Sequence, residues 1–108
     1  MSSAVYINYS KPILLEEWQE FAKKEGIVYS PKTVGRNIFY FGEVEINFGE
    51  PNFISSPKLS KKIIISTYWM GDLNSVDKVV RKILKKWPKP IKFKYDDEFN
   101  YAFKQMKM

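Results

Sequence analysis

Residues 36–48, Arg36-Asn37-Ile38-Phe39-Tyr40-Phe41-Gly42-Glu43-Val44-Glu45-Ile46-Asn47-Phe48, decide how many strands this chain has. Phe39 and Phe41 alternate onto one face, and so do Val44, Ile46 and Phe48. The two sets fall out of phase by one residue across Gly42-Glu43. Either a bulge at Gly42 keeps one long strand, or Gly42-Glu43 is the two-residue type II′ turn of a hairpin. A hairpin pairs Phe41 with Val44 and Phe39 with Ile46 on one face, and it is the expectation of the two.

Upstream, Val5-Tyr6-Ile7-Asn8-Tyr9 is a strand candidate with Val5, Ile7 and Tyr9 on one face. Ser10-Lys11-Pro12 is expected to open a helix running to about Glu25. A proline near the first turn and acids at Glu16, Glu17 and Glu20 suit the front half of a helix. Leu14, Leu15, Trp18, Phe21 and Ala22 form its inner stripe, and Gly26 is a stop signal. Residues 27–35 read as an irregular connection with room for a short strand at 27–29.

Downstream, residues 49–60 read as a loop with two prolines. Residues 61–70 read as a strand with apolar side chains on both faces, which suits a central position in a sheet. Asn74 and Asp77 look like a helix cap and its third residue. Val76, Val79, Val80, Ile83, Leu84 and Trp87 follow as an amphipathic stripe that Pro88 and Pro90 end. Ile91, Phe93 and Tyr95 then alternate with Lys92 and Lys94. Asp96-Asp97-Glu98 precede Phe99, Ala102, Phe103 and Met106 at helical spacing, so a short C-terminal helix is expected.

The element order is β-α-β-β-β-α-β-α with the hairpin. With the bulge it has one strand fewer, the ferredoxin-like order with a C-terminal addition. Both give an α+β domain over residues 1–108, a mainly antiparallel sheet with helices packed on one face.

The 108 residues contain no cysteine and no histidine. Disulfides, thiolate nucleophiles, Ser-His-Asp arrangements and Cys/His zinc sites are therefore excluded. An enzyme built here would use carboxylates, lysine or tyrosine, and no such constellation stands out. No Gly-rich phosphate loop occurs, and no acid is followed two positions later by lysine. The expectation is a non-enzyme without cofactor or metal. Asp96-Asp97-Glu98 is the one acidic run that suggests a divalent cation, and its place before a helix explains it as a first turn. The longest aliphatic run, Ile63-Ile64-Ile65, is too short to span a bilayer, and no secretory leader pattern opens the chain. A cytoplasmic protein with no membrane partner is expected.

Charge and aromatics point to binding. Eighteen basic against twelve acidic residues give a net charge of +6, and aromatics make up 17%. Residues 1–57 carry 5 basic and 7 acidic side chains, whereas residues 58–108 carry 13 and 5. Lys78, Arg81, Lys82, Lys85, Lys86, Lys89, Lys92 and Lys94 follow one another without an acid. This basic ridge suits phosphates or an acidic protein surface, or is a solvated face. Arginine, the residue of bidentate base contacts, occurs only twice.

A second candidate is the sheet face away from the helices, carrying Tyr6, Tyr40, Glu43, Glu45, Tyr68 and Met70. It suits a protein interface, base stacking, or burial beneath the C-terminal helix. Small aromatic-rich chains without histidine or cysteine are common among inhibitors, immunity proteins and phage antagonists of host defence, including anti-CRISPR proteins. The leading expectation is such a protein-binding module. A nucleic-acid-binding protein using the ridge from Lys78 to Lys94 is the alternative, and a homodimer is compatible with both.

Overall fold

A computed structural model describes residues 2–30, 37–49, 58–68 and 73–104, with the backbone alone at 2, 68, 98, 101 and 102. The hairpin is present. β3 (Ile38–Phe41) and β4 (Val44–Phe48) pair antiparallel, with Phe41 opposite Val44 and Phe39 opposite Ile46. Gly42 has φ +61°, and Lys89 is the only non-glycine residue with positive φ among the described residues. Glu43 therefore lacks the positive φ that a type I′ turn demands, and the turn is type II′. A Cβ on Gly42 would meet no atom within 4 Å. Gly42→Ala should thus lose stability through backbone strain alone, about 1–2 kcal/mol, read as a lower urea midpoint with an unchanged slope. Glu43→Ala should leave the midpoint in place.

β1 spans Ser2–Leu14 and α1 Leu15–Lys24. The helix expected from Ser10 thus starts five residues late. Two long strands win over Pro12 as a helix opener. β5 (Leu59–Tyr68) pairs with β1 from Ser2↔Tyr68 to Asn8↔Lys62, and again at Ile13↔Ser60 and Leu14↔Leu59. The register shift between lies at Ser10-Lys11-Pro12, where a proline without an N–H costs no ladder bond. Leu14 consequently leaves the expected inner stripe and is 49% exposed, while Trp18, Phe21 and Ala22 are buried as expected. Gly26, at φ +74°, ends α1, and the Ile27 N–H donates to the Ala22 carbonyl at 2.8 Å.

β2 (Val28–Ser30) pairs with β3. α2 (Leu73–Lys86) already includes Asn74, so Asn74 is not its cap. β6 (Lys92–Tyr95) pairs with β1, and Ile91, expected to face inward, lies outside the strand and is 69% exposed. A 3-10 turn (Asp97–Phe99) leads into α3 (Asn100–Phe103). Residues 69 and 70 of the expected strand and Met106 of the expected last helix lie outside the described residues.

The result is α+β. Six antiparallel strands form one sheet in the order β2-β3-β4-β5-β1-β6, with β5 interior as expected. One face carries the core: Val5, Ile7, Phe39, Val44, Ile46, Phe48, Ile63 and Ile65 pack with Trp18 of α1 and with Val76, Val79, Val80 and Ile83 of α2. Trp18 sits among the rings of Phe21, Phe39, Phe48 and Trp87 at centroid distances of 5.4–5.9 Å.

Candidate functional site

The same registers define the second face. Across the strands run Lys94, Tyr6, Ile64 and Asn47 in one row, with Lys92, Asn8 and Lys62 beside it. On the other side runs a row of Ala4, Ser66, Glu45, Tyr40 and Val28. Strand alternation sends all of these away from the core residues.

Residues 97–104 do not cover this face. Phe99 and Phe103 are buried in the helix-side core. The Phe103 ring lies 5.6 Å from Phe93 and 5.4 Å from Tyr95. Those two stand opposite Ile7 and Val5, on the core side. This overturns the reading of the second face as a layer buried by the last helix. Among the described residues no helix lies on it, and Tyr6, Ile64, Glu45 and Asn47 are half-exposed. Beside Asn47 on β3, Ile38 is only 5% exposed, whereas Tyr40 and Val28 in the neighbouring row are exposed.

Polar groups on the face are organised. The Tyr40 hydroxyl donates to Glu45 Oε1 at 3.2 Å, and Asn47 Nδ2 donates to Glu45 Oε2 at 3.0 Å. Glu45 is thus held from both sides instead of waving in solvent. Lys92 and Lys94 are exposed at the β6 edge. Of the residues expected here, Tyr6, Tyr40 and Glu45 belong to the face. Glu43 sits exposed in the hairpin turn, and the side chains of Tyr68 and Met70 lie outside the described residues. Asn47 and Lys62 were missed, although counting by two from Glu45 and from Ile64 finds both.

The basic ridge does not hold together. Lys78, Arg81, Lys82, Lys85 and Lys86 ride on α2, on the helix side of the sheet. Lys92 and Lys94 point to the opposite side. Lys89 lies between, at φ +58° in the Pro88-Lys89-Pro90 link. This link is pinned by the Tyr9 hydroxyl, which donates to the Trp87 carbonyl at 2.7 Å, and by the Ile91 N–H, which donates to the Asn8 carbonyl at 2.9 Å. Burial pushes the ionisation of Tyr9 up, so its hydroxyl stays a neutral donor.

Acids from elsewhere also answer the ridge. Arg81 Nε pairs with Asp77 at 2.8 Å, one helical turn back. Lys82 Nζ reaches Glu25, the C-cap residue of α1, at 3.3 Å. Lys85 and Lys86 line a groove of about 660 Å³ between α1 and α2, which Glu17 and Glu20 also line. The positive charge of α2 is therefore shared with acids of α2 itself, of the α1 C-cap and of the groove lining.

Asp96 is occupied structurally. Its Oδ2 accepts the Ala4 N–H at 2.8 Å, and its own N–H donates to the Ala4 carbonyl at 3.2 Å. Among the described residues no three His, Cys, Asp or Glu side chains gather as metal ligands would. No helix among them is long and apolar enough to cross a membrane. No known protein family, curated protein or solved structure matches this chain.

Proposed function

We propose that this protein is a small binding module that acts by occupying a partner protein's surface through the helix-free face of its sheet. In this reading it is an inhibitor or antagonist of the immunity-protein or phage anti-defence kind, working by contact and not by catalysis. The observation that carries the reading is the register. It gathers two tyrosines, an isoleucine, an asparagine, a braced glutamate and edge lysines onto one half-exposed surface. Tyrosine with mixed polar groups around an apolar centre is the chemistry of protein interfaces. We read β6-β1-β5-β4 with α1 and α2 as a ferredoxin-like unit that β2 and β3 widen into a broader platform. Splitting of the ridge, with Glu25, Asp77, Glu17 and Glu20 beside its α2 half, weighs against a phosphate-tracking surface.

The test compares two double variants of the tagged full chain in crosslinked lysate of the source cell. Tyr6→Ala/Lys94→Glu should lower recovery of a stoichiometric protein partner by about tenfold or more. Lys85→Glu/Lys86→Glu, on the other side of the molecule, should leave recovery unchanged. The opposite pattern overturns the reading. So does oligonucleotide binding that collapses between about 50 and 200 mM salt, the range in which phosphate contacts are lost.

A further inference from the structure

We infer that the link Pro88-Lys89-Pro90-Ile91, between α2 and β6, is a rigid contact knuckle whose Ile91 enters an apolar pocket rimmed by carboxylates on the partner protein. The inference rests on the protein-binding reading above and carries the contact past the end of the sheet face.

The link is strained and held. Lys89 stands at φ +58°, a left-handed conformation that costs an L side chain free energy. Pro90 follows it, and a proline pushes the residue before it toward extended backbone. A glycine at position 89 would take the same angle freely. The surroundings fix the shape nonetheless. Pro88 and Pro90 have locked φ angles, and Pro90 is buried. The Tyr9 hydroxyl donates to the Trp87 carbonyl at one end, and the Ile91 N–H donates to the Asn8 carbonyl at the other. Strain kept in place by its surroundings is a mark of binding and switch segments.

What the link presents is apolar at its centre and positive around it. Ile91 is 69% exposed, more than any other large hydrophobic side chain among the described residues. Lys89 and Lys92 flank it, and both are exposed. Arg81 and Lys82 of α2 have acidic partners, whereas among the described residues neither Lys89 nor Lys92 forms an ion pair. An aliphatic side chain between such cations matches a site of the opposite make, with an apolar floor and an Asp or Glu rim. A phosphate backbone would answer the lysines and leave Ile91 in water. The fixed link loses little freedom on docking, which favours affinity.

Carbodiimide, which joins an ammonium to a carboxylate in contact with it, tests this. Applied to the tagged full chain in lysate of the source cell, it should join Lys89 or Lys92 to an Asp or Glu of one partner protein. Ile91→Ala should lower the yield of that product about tenfold and leave the urea midpoint where it was. Leu73→Ala, at an exposed position at the far end of α2, should leave the yield unchanged. Lys89→Gly should raise the urea midpoint above that of Lys89→Gln, which removes the same charge and keeps the strain. Relief of the left-handed strain exceeds the extra freedom of glycine in the unfolded chain. The inference is overturned by no product through Lys89 or Lys92, by a yield indifferent to Ile91→Ala, or by a Lys89→Gly midpoint at or below that of Lys89→Gln. The sheet-face reading fails separately. It survives any of these results if Tyr6→Ala/Lys94→Glu still releases the partner, and it falls with the knuckle standing if Ile91→Ala alone does so.

Discussion

Phe103→Ala is expected to cost about 3–5 kcal/mol, up to half or more of the stability of a domain this small. Phe103 is 1% exposed and stands in the last described turn of the chain. Its ring touches Phe93 and Tyr95 of β6 and Phe99 of the preceding turn, at 5.4–5.7 Å. Removing it deletes an aromatic side chain and opens a cavity at the sheet edge. It also loses edge-on ring contacts worth about 0.5–1.5 kcal/mol each beyond area. Urea unfolding measures the loss. Hydrogen exchange should show β6 and residues 97–104 opening first, because this ring packs both against the core. A loss below about 1 kcal/mol would mean that the segment is not docked on the helix side. The helix-free face would then have to be reconsidered, since its exposure depends on where Phe103 goes.

Trp18→Ala is expected to cost a similar 3–5 kcal/mol, through a different region of the core. Trp18 is fully buried at the point where α1 meets the sheet and the end of α2. Its ring stacks on Phe48 and Trp87 and meets Phe39 edge-on. Trp18 Nε1 is buried without a hydrogen-bond partner. An unpaired buried donor costs about 1–3 kcal/mol, so the indole contributes packing and no hydrogen bond. Trp18→Phe should therefore retain much of the stability that alanine loses. Denaturant midpoints of the two variants decide the point. Equal losses would mean that the indole N–H is satisfied and that the lost packing of the larger ring dominates.

Trp18 packs toward β3 and β4 and Phe103 toward β6, and among the described residues they share no ring neighbour. Their costs should add within about 0.5 kcal/mol if the core behaves as independent clusters. Neither touches the face proposed for binding. Each should weaken binding only as far as it lowers the folded fraction.

Much of this architecture is legible in the chain because it is local. The phase slip across Gly42-Glu43 narrows the choice to a bulge or a two-residue turn, since alternation has a strict period of two, and the pairing of β3 with β4 selects the turn. The stripe from Val76 to Trp87 specifies a helix, and Gly26 ends another through a backbone angle that glycine alone takes freely. Alternation likewise places Tyr6, Tyr40 and Glu45 opposite the core residues. Pro12 misleads for a physical reason. A proline is tolerated both at a helix start and in a strand irregularity, and only the ten-residue partner β5 selects the second.

What the sequence by itself determined is therefore the α+β class, a break in alternation at Gly42-Glu43 and the division of each strand into a core side and an outer side. Tertiary structure alone decided three things: the extension of β1 to Leu14, the side of the sheet on which Phe99 and Phe103 dock, and the separation of Lys92 and Lys94 from the lysines of α2. Each depends on contacts between residues far apart in the chain, such as Ile13 with Ser60, Val5 with Tyr95 and Lys82 with Glu25. Local periodicity carries no information about such pairings, because their energy exists only once the distant partner has been brought alongside.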